Sequence, residues 1–153
     1  MAAESVGGGA LRIEGLDDKL VALLERPLVG TFGTISPGGV PHLTAVWYEF
    51  RDGEFVISTS VSSRKVKNVL ASPTAELCVN GGLAGPCVTA RGQAKLRGST
   101  SPEFIAGLAC RYLGEDGGAR YMAARDPKAE SVLLSLRPTT WRVWDIDATM
   151  STS

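Results

Sequence analysis

Apolar positions along the chain change their period twice within the first sixty residues. Leu20, Val21, Leu23 and Leu24 recur at helical spacing and stop at Pro27, which predicts a short helix opening near Asp17 and Asp18. Asp17 suits the cap, and both carboxylates suit the positive end of the helix. From Leu28 the period becomes two. VGTFGTI, PHLTAVWYEF and GEFVISTS are β-rich runs separated by Ser36-Pro37-Gly38-Gly39 and by Arg51-Asp52-Gly53, both strong turn signals, so an antiparallel meander is predicted. In the second run Leu43, Ala45 and Trp47 fall on one side, and Thr44, Val46 and Tyr48 on the other. Neither side is simply polar, so this strand is expected to be covered on both faces, as in a small barrel that also packs against a partner.

The helical period returns at Ser62-Ser63-Arg64-Lys65-Val66-Lys67-Asn68-Val69-Leu70-Ala71-Ser72-Pro73. Either serine can cap this helix, Val66, Val69 and Leu70 give its buried stripe, and Pro73 ends it. AELCVN and PCVTARGQAKLRG follow as two strands joined by Gly81-Gly82-Leu83-Ala84-Gly85. Thr100-Ser101-Pro102-Glu103 is a helix start, with Glu103 at the capping-box position, and Phe104, Ile105, Leu108, Ala109 and Tyr112 form the apolar face. A second helical piece is predicted near residues 118–124, and residues 131–136 and 139–146 as a final strand pair. The expected architecture is mainly β with peripheral helices: a six-stranded antiparallel barrel with helices at its rim. Residues 1–11, small and Gly-rich, read as a mobile leader, 12–147 as one domain and 148–153 as a flexible tail.

Composition agrees with that outline. Gly and Pro together make 26 of the 153 residues, above the roughly 12% of an average protein, which disfavours a bundle of long helices. Sixteen basic and sixteen acidic side chains cancel, against a surface built to bind nucleic acid or an anionic membrane. No apolar run approaches the roughly 18 residues of a membrane span, and MAAESVGGGA lacks the features of a secretion signal; a soluble, cytoplasmic protein is expected. Cys78, Cys87 and Cys110 match neither a disulfide framework nor a zinc ligand set, so no metal is expected and the cysteines read as small hydrophobes. His42 is the one histidine, beside Pro41 near a turn. With no Gly-x-Ser-x-Gly elbow to supply a nucleophile, a Ser-His-Asp hydrolase is not expected.

The segment with most chemical content is Ile57 to Pro73. Arg64, Lys65 and Lys67 occupy the first turns of a short helix, with no acid between Glu54 and Glu76. That placement opposes the helix dipole, which favours anions at the N-terminus, and a bound anion would reverse the sign. Backbone N–H groups, the hydroxyls of Ser58, Thr59, Ser60, Ser62 and Ser63, and two or three basic side chains together make a phosphate cradle. The bland alternative is a solvated basic face.

These residues resemble a family. Ser63-Arg64-Lys65 followed by Asn68-Val69 and Pro73 is similar to the signature of the pyridoxamine 5'-phosphate oxidase-like split-barrel proteins, and more so to its variant in the branch that uses the deazaflavin coenzyme F420. Gly39-x-Pro41 through Val46-Trp47-Tyr48 resembles that branch's Gly-x-Pro and Val-Trp-Tyr/Phe. Arg91-Gly92-Gln93-Ala94 resembles its Val-x-Gly-x-Ala strand, and Arg137-Pro138-Thr139 with Trp141 its closing Arg-Pro-Thr strand. The matches run in family order over about residues 17–145.

The resemblance implies an FMN-binding type of split β-barrel, a homodimer with two cofactor sites at the subunit interface, and coenzyme F420 as cofactor, with FMN the alternative. Carried over residue by residue, it implies that Ser58, Thr59, Arg64, Lys65, Lys67 and Asn68 hold the cofactor phosphate. Thr44, Ala45 and Val46 would run along the ring system, and strand 86–92 of the other protomer would close the pocket. Trp47 fits the pocket wall, the core or the dimer interface. The implied activity is an F420-dependent reductase moving a hydride between the reduced deazaflavin and a small unsaturated substrate. The alternatives are an FMN-dependent flavin reductase or oxidase and a non-catalytic cofactor-binding protein. The chain lacks the Arg-x-His segment that grips the substrate phosphate in true pyridoxamine phosphate oxidases, so vitamin B6 oxidation is not expected. No catalytic acid or base stands out, and the proton would come from solvent or from Tyr48.

Overall fold

The computed structural model describes residues 10–11 and 16–147. In chain order the elements are β1 (Ala10–Leu11), α1 (Asp18–Leu24), β2 (Gly30–Ile35), β3 (Pro41–Val46), β4 (Glu49–Arg51), β5 (Glu54–Ser60), α2 (Arg64–Ala71), β6 (Thr74–Asn80), β7 (Cys87–Ser99), α3 (Pro102–Ala124) and β8 (Ser131–Trp144). Asp17 caps α1, its carboxylate accepting from the Leu20 N–H at 2.9 Å. The two turns form where the backbone takes positive φ, at Gly38 and Gly39 and at Asp52 and Gly53, residue types that tolerate it.

Seven strands lie on one antiparallel path, β3-β2-β6-β7-β8-β5-β4, and β1 pairs with β8. The expected count of six is corrected by two local events. The run from Pro41 to Phe50 is interrupted at Trp47 and Tyr48, which divides it into β3 and β4 at opposite ends of the path. The Tyr112 hydroxyl explains the interruption: it accepts from the Tyr48 N–H at 3.1 Å and lies 3.2 Å from the Tyr48 carbonyl, taking both ladder groups out of the sheet. Ala10 and Leu11, expected in a mobile leader, instead pair with Trp144 and Val143. The rest of the expected leader and the tail at 148–153 lie outside the described residues.

The predicted final strand pair is one strand of 14 residues, carried across Arg137-Pro138 by a bulge. The register with β7 shifts between Arg91 and Gly92, and Gly92 lies opposite Pro138. A Cβ on Gly92 would stand 2.0 Å from the Arg137 carbonyl oxygen, so only glycine fits. The two predicted helical pieces are the halves of α3, separated by a non-helical Gly114 at φ 76°. Ser101 caps α3, accepting from the Phe104 N–H at 3.2 Å, so Glu103 falls one residue short of the capping-box position.

The core fills the sheet's inner face. Phe32, Tyr48, Phe55, Leu24, Leu77, Val79 and Trp141 are fully buried, and Tyr48, Phe50, Phe55 and Trp141 form a linked aromatic cluster with centroid separations of 4.8 to 6.2 Å. Each such side chain contributes roughly 1.5–3 kcal/mol through burial. The outer face is different. Leu43, Val40 and Ile35 are exposed, so the second face of the β3 strand, expected to be covered, is open in the single chain.

Candidate functional site

A cavity of about 510 Å³ opens at the end of β5, where the chain runs from strand to α2. Three elements form its walls: the β3–β4 junction with Ala45, Val46 and Trp47, the β5 end with Ser58, Thr59 and Ser60, and α3 with Ile105, Leu108 and Tyr121. Lys65 enters from α2, and Arg125, Glu130 and Ser131 enter from the segment between α3 and β8.

The polar end is built around Lys65. Its ammonium donates to Thr59 Oγ1 at 3.2 Å, and the Thr59 hydroxyl donates in turn to Ser63 Oγ at 3.3 Å. Ser63 occupies the cap position of α2, but its hydroxyl makes no cap bond. The first turn of α2 therefore keeps uncapped N–H groups and contains no acid. Among the described residues no carboxylate pairs with Lys65, and burial pushes its ammonium below the usual lysine range. A desolvated cation held only by neutral hydroxyls and facing a cavity is a site that an anion completes.

The opposite wall is aromatic. Trp47 stacks on Tyr112 at a centroid distance of 5.1 Å and an interplanar angle of 10°, and Tyr121 packs against Trp47 at 5.3 Å. Tyr112 is fixed in turn by donating to the Leu28 carbonyl at 2.9 Å. Trp47 is thus a cavity-wall residue with its ring plane set by its neighbours. A flat apolar wall beside an anion-ready corner has the shape of a site for a phosphate-bearing ring compound, and the volume lies in the range of small-molecule and cofactor sites.

Of the residues singled out in the sequence, the structure brings Ala45, Val46, Ser58, Thr59 and Lys65 to this one cavity. The other four lie elsewhere. Arg64 and Lys67 are exposed on α2 and do not line it. Asn68 is 1% exposed, and its amide donates to Thr34 Oγ1 at 3.0 Å and Ser36 Oγ at 3.3 Å, a joint between α2 and β2. Thr44 is half-buried, and its hydroxyl oxygen is buried without a hydrogen-bond partner. Tyr48 does not fit the proton-source role: it is fully buried against Phe55, away from the cavity, and burial holds its phenol far above the ordinary range.

Cys78 and Cys87 sit on paired strands with sulfurs 3.4 Å apart, and burial together with that contact pushes the Cys87 thiol up to about 11. Cys110 is exposed. Among the described residues no cluster of His, Cys, Asp or Glu could hold a metal ion, and no helix is long and apolar enough to cross a membrane. Arg125, Tyr121 and Ser131 were not singled out in the sequence. Only the cation at a helix C-terminus marked Arg125, and that reads equally well as helix stabilisation.

A sequence model for pyridoxamine 5'-phosphate oxidase matches residues 16–145, and the chain belongs to that family of split-barrel proteins. No curated protein sequence matches it. Among solved structures, it is similar to an F420 reductase at 25% identity and a TM-score of 0.68, with 82% of this chain and 98% of the other aligned. A conserved hypothetical protein from Mycobacterium tuberculosis aligns over 89% of both chains at 24% identity and a TM-score of 0.68. An FMN-binding protein from Nostoc punctiforme shares the fold at 18% identity and a TM-score of 0.56, over 81% of this chain and 82% of that one.

Proposed function

We propose that the protein is an F420-dependent reductase that moves a hydride between the reduced deazaflavin and a small unsaturated organic substrate. The observation that carries this reading is the cavity in which a half-buried Lys65, paired with no carboxylate among the described residues, and its hydroxyl chain face an aromatic wall built on Trp47. The likeness to an F420 reductase favours the deazaflavin over FMN.

In this reading Lys65, Thr59 and the first turn of α2 hold the phosphate, and Ser58, at the strand end, adds a further hydroxyl. Arg64 and Lys67, exposed beside it, raise the local potential without entering the cavity. Asn68 acts on the site by fixing α2. Ala45 and Val46 present the β3 backbone along the ring, with Thr44 one residue further back on that strand. When bound, the deazaflavin supplies the hydride. The chain's own part would be to orient cofactor and substrate beside Trp47 and to exclude water from the cavity. Solvent supplies the proton that completes the reduction: Tyr48 is sealed in the core, and Glu130, the carboxylate on the cavity lining, is itself open to solvent.

The working form is a homodimer. The exposed Leu43, Val40 and Ile35 on the outer sheet face support it, and strand 86–92 of a second copy would close the open side of the cavity. Titration with F420 and with FMN, followed by tryptophan fluorescence, tests the reading. Quenching by F420 is expected; tight FMN binding without F420 binding contradicts it. Oxidation of bound reduced F420 by an activated alkene separates an enzyme from a cofactor store.

A further inference from the structure

The same cavity holds a second cation that the phosphate reading leaves without a task. Arg125 closes α3, its backbone N–H donating to the Met122 carbonyl at 3.3 Å. A cation is favoured at this end of a helix, so Arg125 stands here at no cost to α3. Its guanidinium donates to Ser131 Oγ at 2.5 Å, and both residues line the cavity. Glu130 lines it too, and Asp126 is adjacent in sequence, but among the described residues neither forms an ion pair with Arg125. A guanidinium that faces a cavity with one neutral hydroxyl as partner has most of its fork of donors free for an oxyanion.

The sheet register places this group apart from Lys65. Ser131 lies opposite Ser60, while Thr59, which holds Lys65, lies opposite Val132. The two cations are thus held by different hydroxyls, on adjacent rungs of the β5–β8 ladder, within the one cavity. Arg125 also lies four residues after Tyr121, on the same face of α3 as the ring that packs on Trp47.

We propose that Arg125 and Ser131 form a second oxyanion subsite, separate from the Lys65 cradle, which takes a carboxylate or phosphate group attached to a flat apolar body lying along Trp47 and Tyr121. Such a group can come from an anionic substrate or from an acidic tail of the cofactor. The proposal rests on the reading of this cavity as the functional site, but its test does not require a cofactor.

The probe is benzoate, with benzamide as its neutral isostere, titrated against the protein alone by tryptophan fluorescence. Benzoate is expected to bind at least about tenfold more tightly than benzamide, and Arg125→Gln to remove that preference while Lys65→Gln keeps it. Arg125→Lys should restore part of it, since the charge returns without the fork. Melting temperatures of the variants confirm that they fold. Repeating the titration with cofactor-saturated protein separates the sources: benzoate that still binds marks a substrate subsite, and benzoate displaced by F420 marks a cofactor-tail subsite. Equal binding of benzoate and benzamide, an Arg125→Gln variant with unchanged benzoate affinity, or loss of binding in Lys65→Gln would overturn the proposal. Failure of F420 to bind while benzoate behaves as expected would count against the cofactor reading alone.

Discussion

The carboxamide of Asn68 donates to Thr34 Oγ1 at 3.0 Å, and both residues are 1% exposed, so α2 hangs from β2 by a buried polar joint. That joint holds α2 in place below Lys65. Asn68→Ala would leave the Thr34 hydroxyl without its partner in an apolar surround. We expect a loss of about 1–3 kcal/mol in chemical denaturation, with a smaller loss of cofactor affinity than any Lys65 substitution causes.

Gly92 lies against the Arg137 carbonyl at the bulge that lets β7 and β8 continue past Pro138. Gly92→Ala must push one strand off the other. A destabilisation of about 1–3 kcal/mol or more is expected, read as a lower midpoint in denaturant. Gly98→Ala meets nothing within 4 Å but sits at φ 98°; it should cost less than Gly92→Ala, through backbone strain alone.

Burial raises the phenols of both Tyr48 and Tyr112. A group raised in the folded state holds its proton there after the unfolded chain has lost it. The stability it contributes is therefore complete below the unfolded value near 10 and falls as pH climbs above it. Absorbance at 295 nm during an alkaline titration should show Tyr48 and Tyr112 ionising together with loss of the folded circular dichroism signal. Full ionisation of all three tyrosines in a still-folded protein would refute the burial assigned to them.

Leu43 is 67% exposed on the outer face of β3, in register across Gly33 of β2 with the Arg91–Glu76 ion pair of β6 and β7. If a second copy covers this face, Leu43→Glu places an unpaired charge in the interface. Light scattering should then report a dimer for the parent chain and a shift towards monomer for the variant. A monomeric parent chain would contradict the homodimer.

Much of this arrangement was legible in the sequence because its causes are local. The switch from period 3.6 to period 2 at Leu28, the Asp52-Gly53 turn and the Asp17 cap each act within a few residues, and each stands where expected. Lys65 was legible because cations in an acid-free first turn run against the helix dipole. What escaped depends on contacts distant in sequence. The break at Trp47 and Tyr48 is made by a hydroxyl 64 residues away, so the alternating run reads as one strand. Arg64, Lys65 and Lys67 look equivalent in sequence, and only the rotation of α2 against β2, fixed by Asn68, turns Lys65 alone into the cavity. Arg125 reaches the site through the path of α3 after Gly114, which no periodicity records.

In the proposed function the half-buried Lys65 holds an anion carried by a deazaflavin. The most direct measurement is the F420 dissociation constant of the parent chain and of Lys65→Met across pH 7 to 10, with melting temperatures of both. Burial depresses the Lys65 ammonium, so the parent chain should lose F420 affinity as pH rises towards the usual lysine value near 10.4. Lys65→Met should bind about tenfold or more weakly at pH 7, show no such pH dependence, and melt no lower than the parent chain, since it removes a half-buried ammonium that no carboxylate among the described residues offsets. Equal F420 affinity in the two proteins at pH 7 would contradict the account.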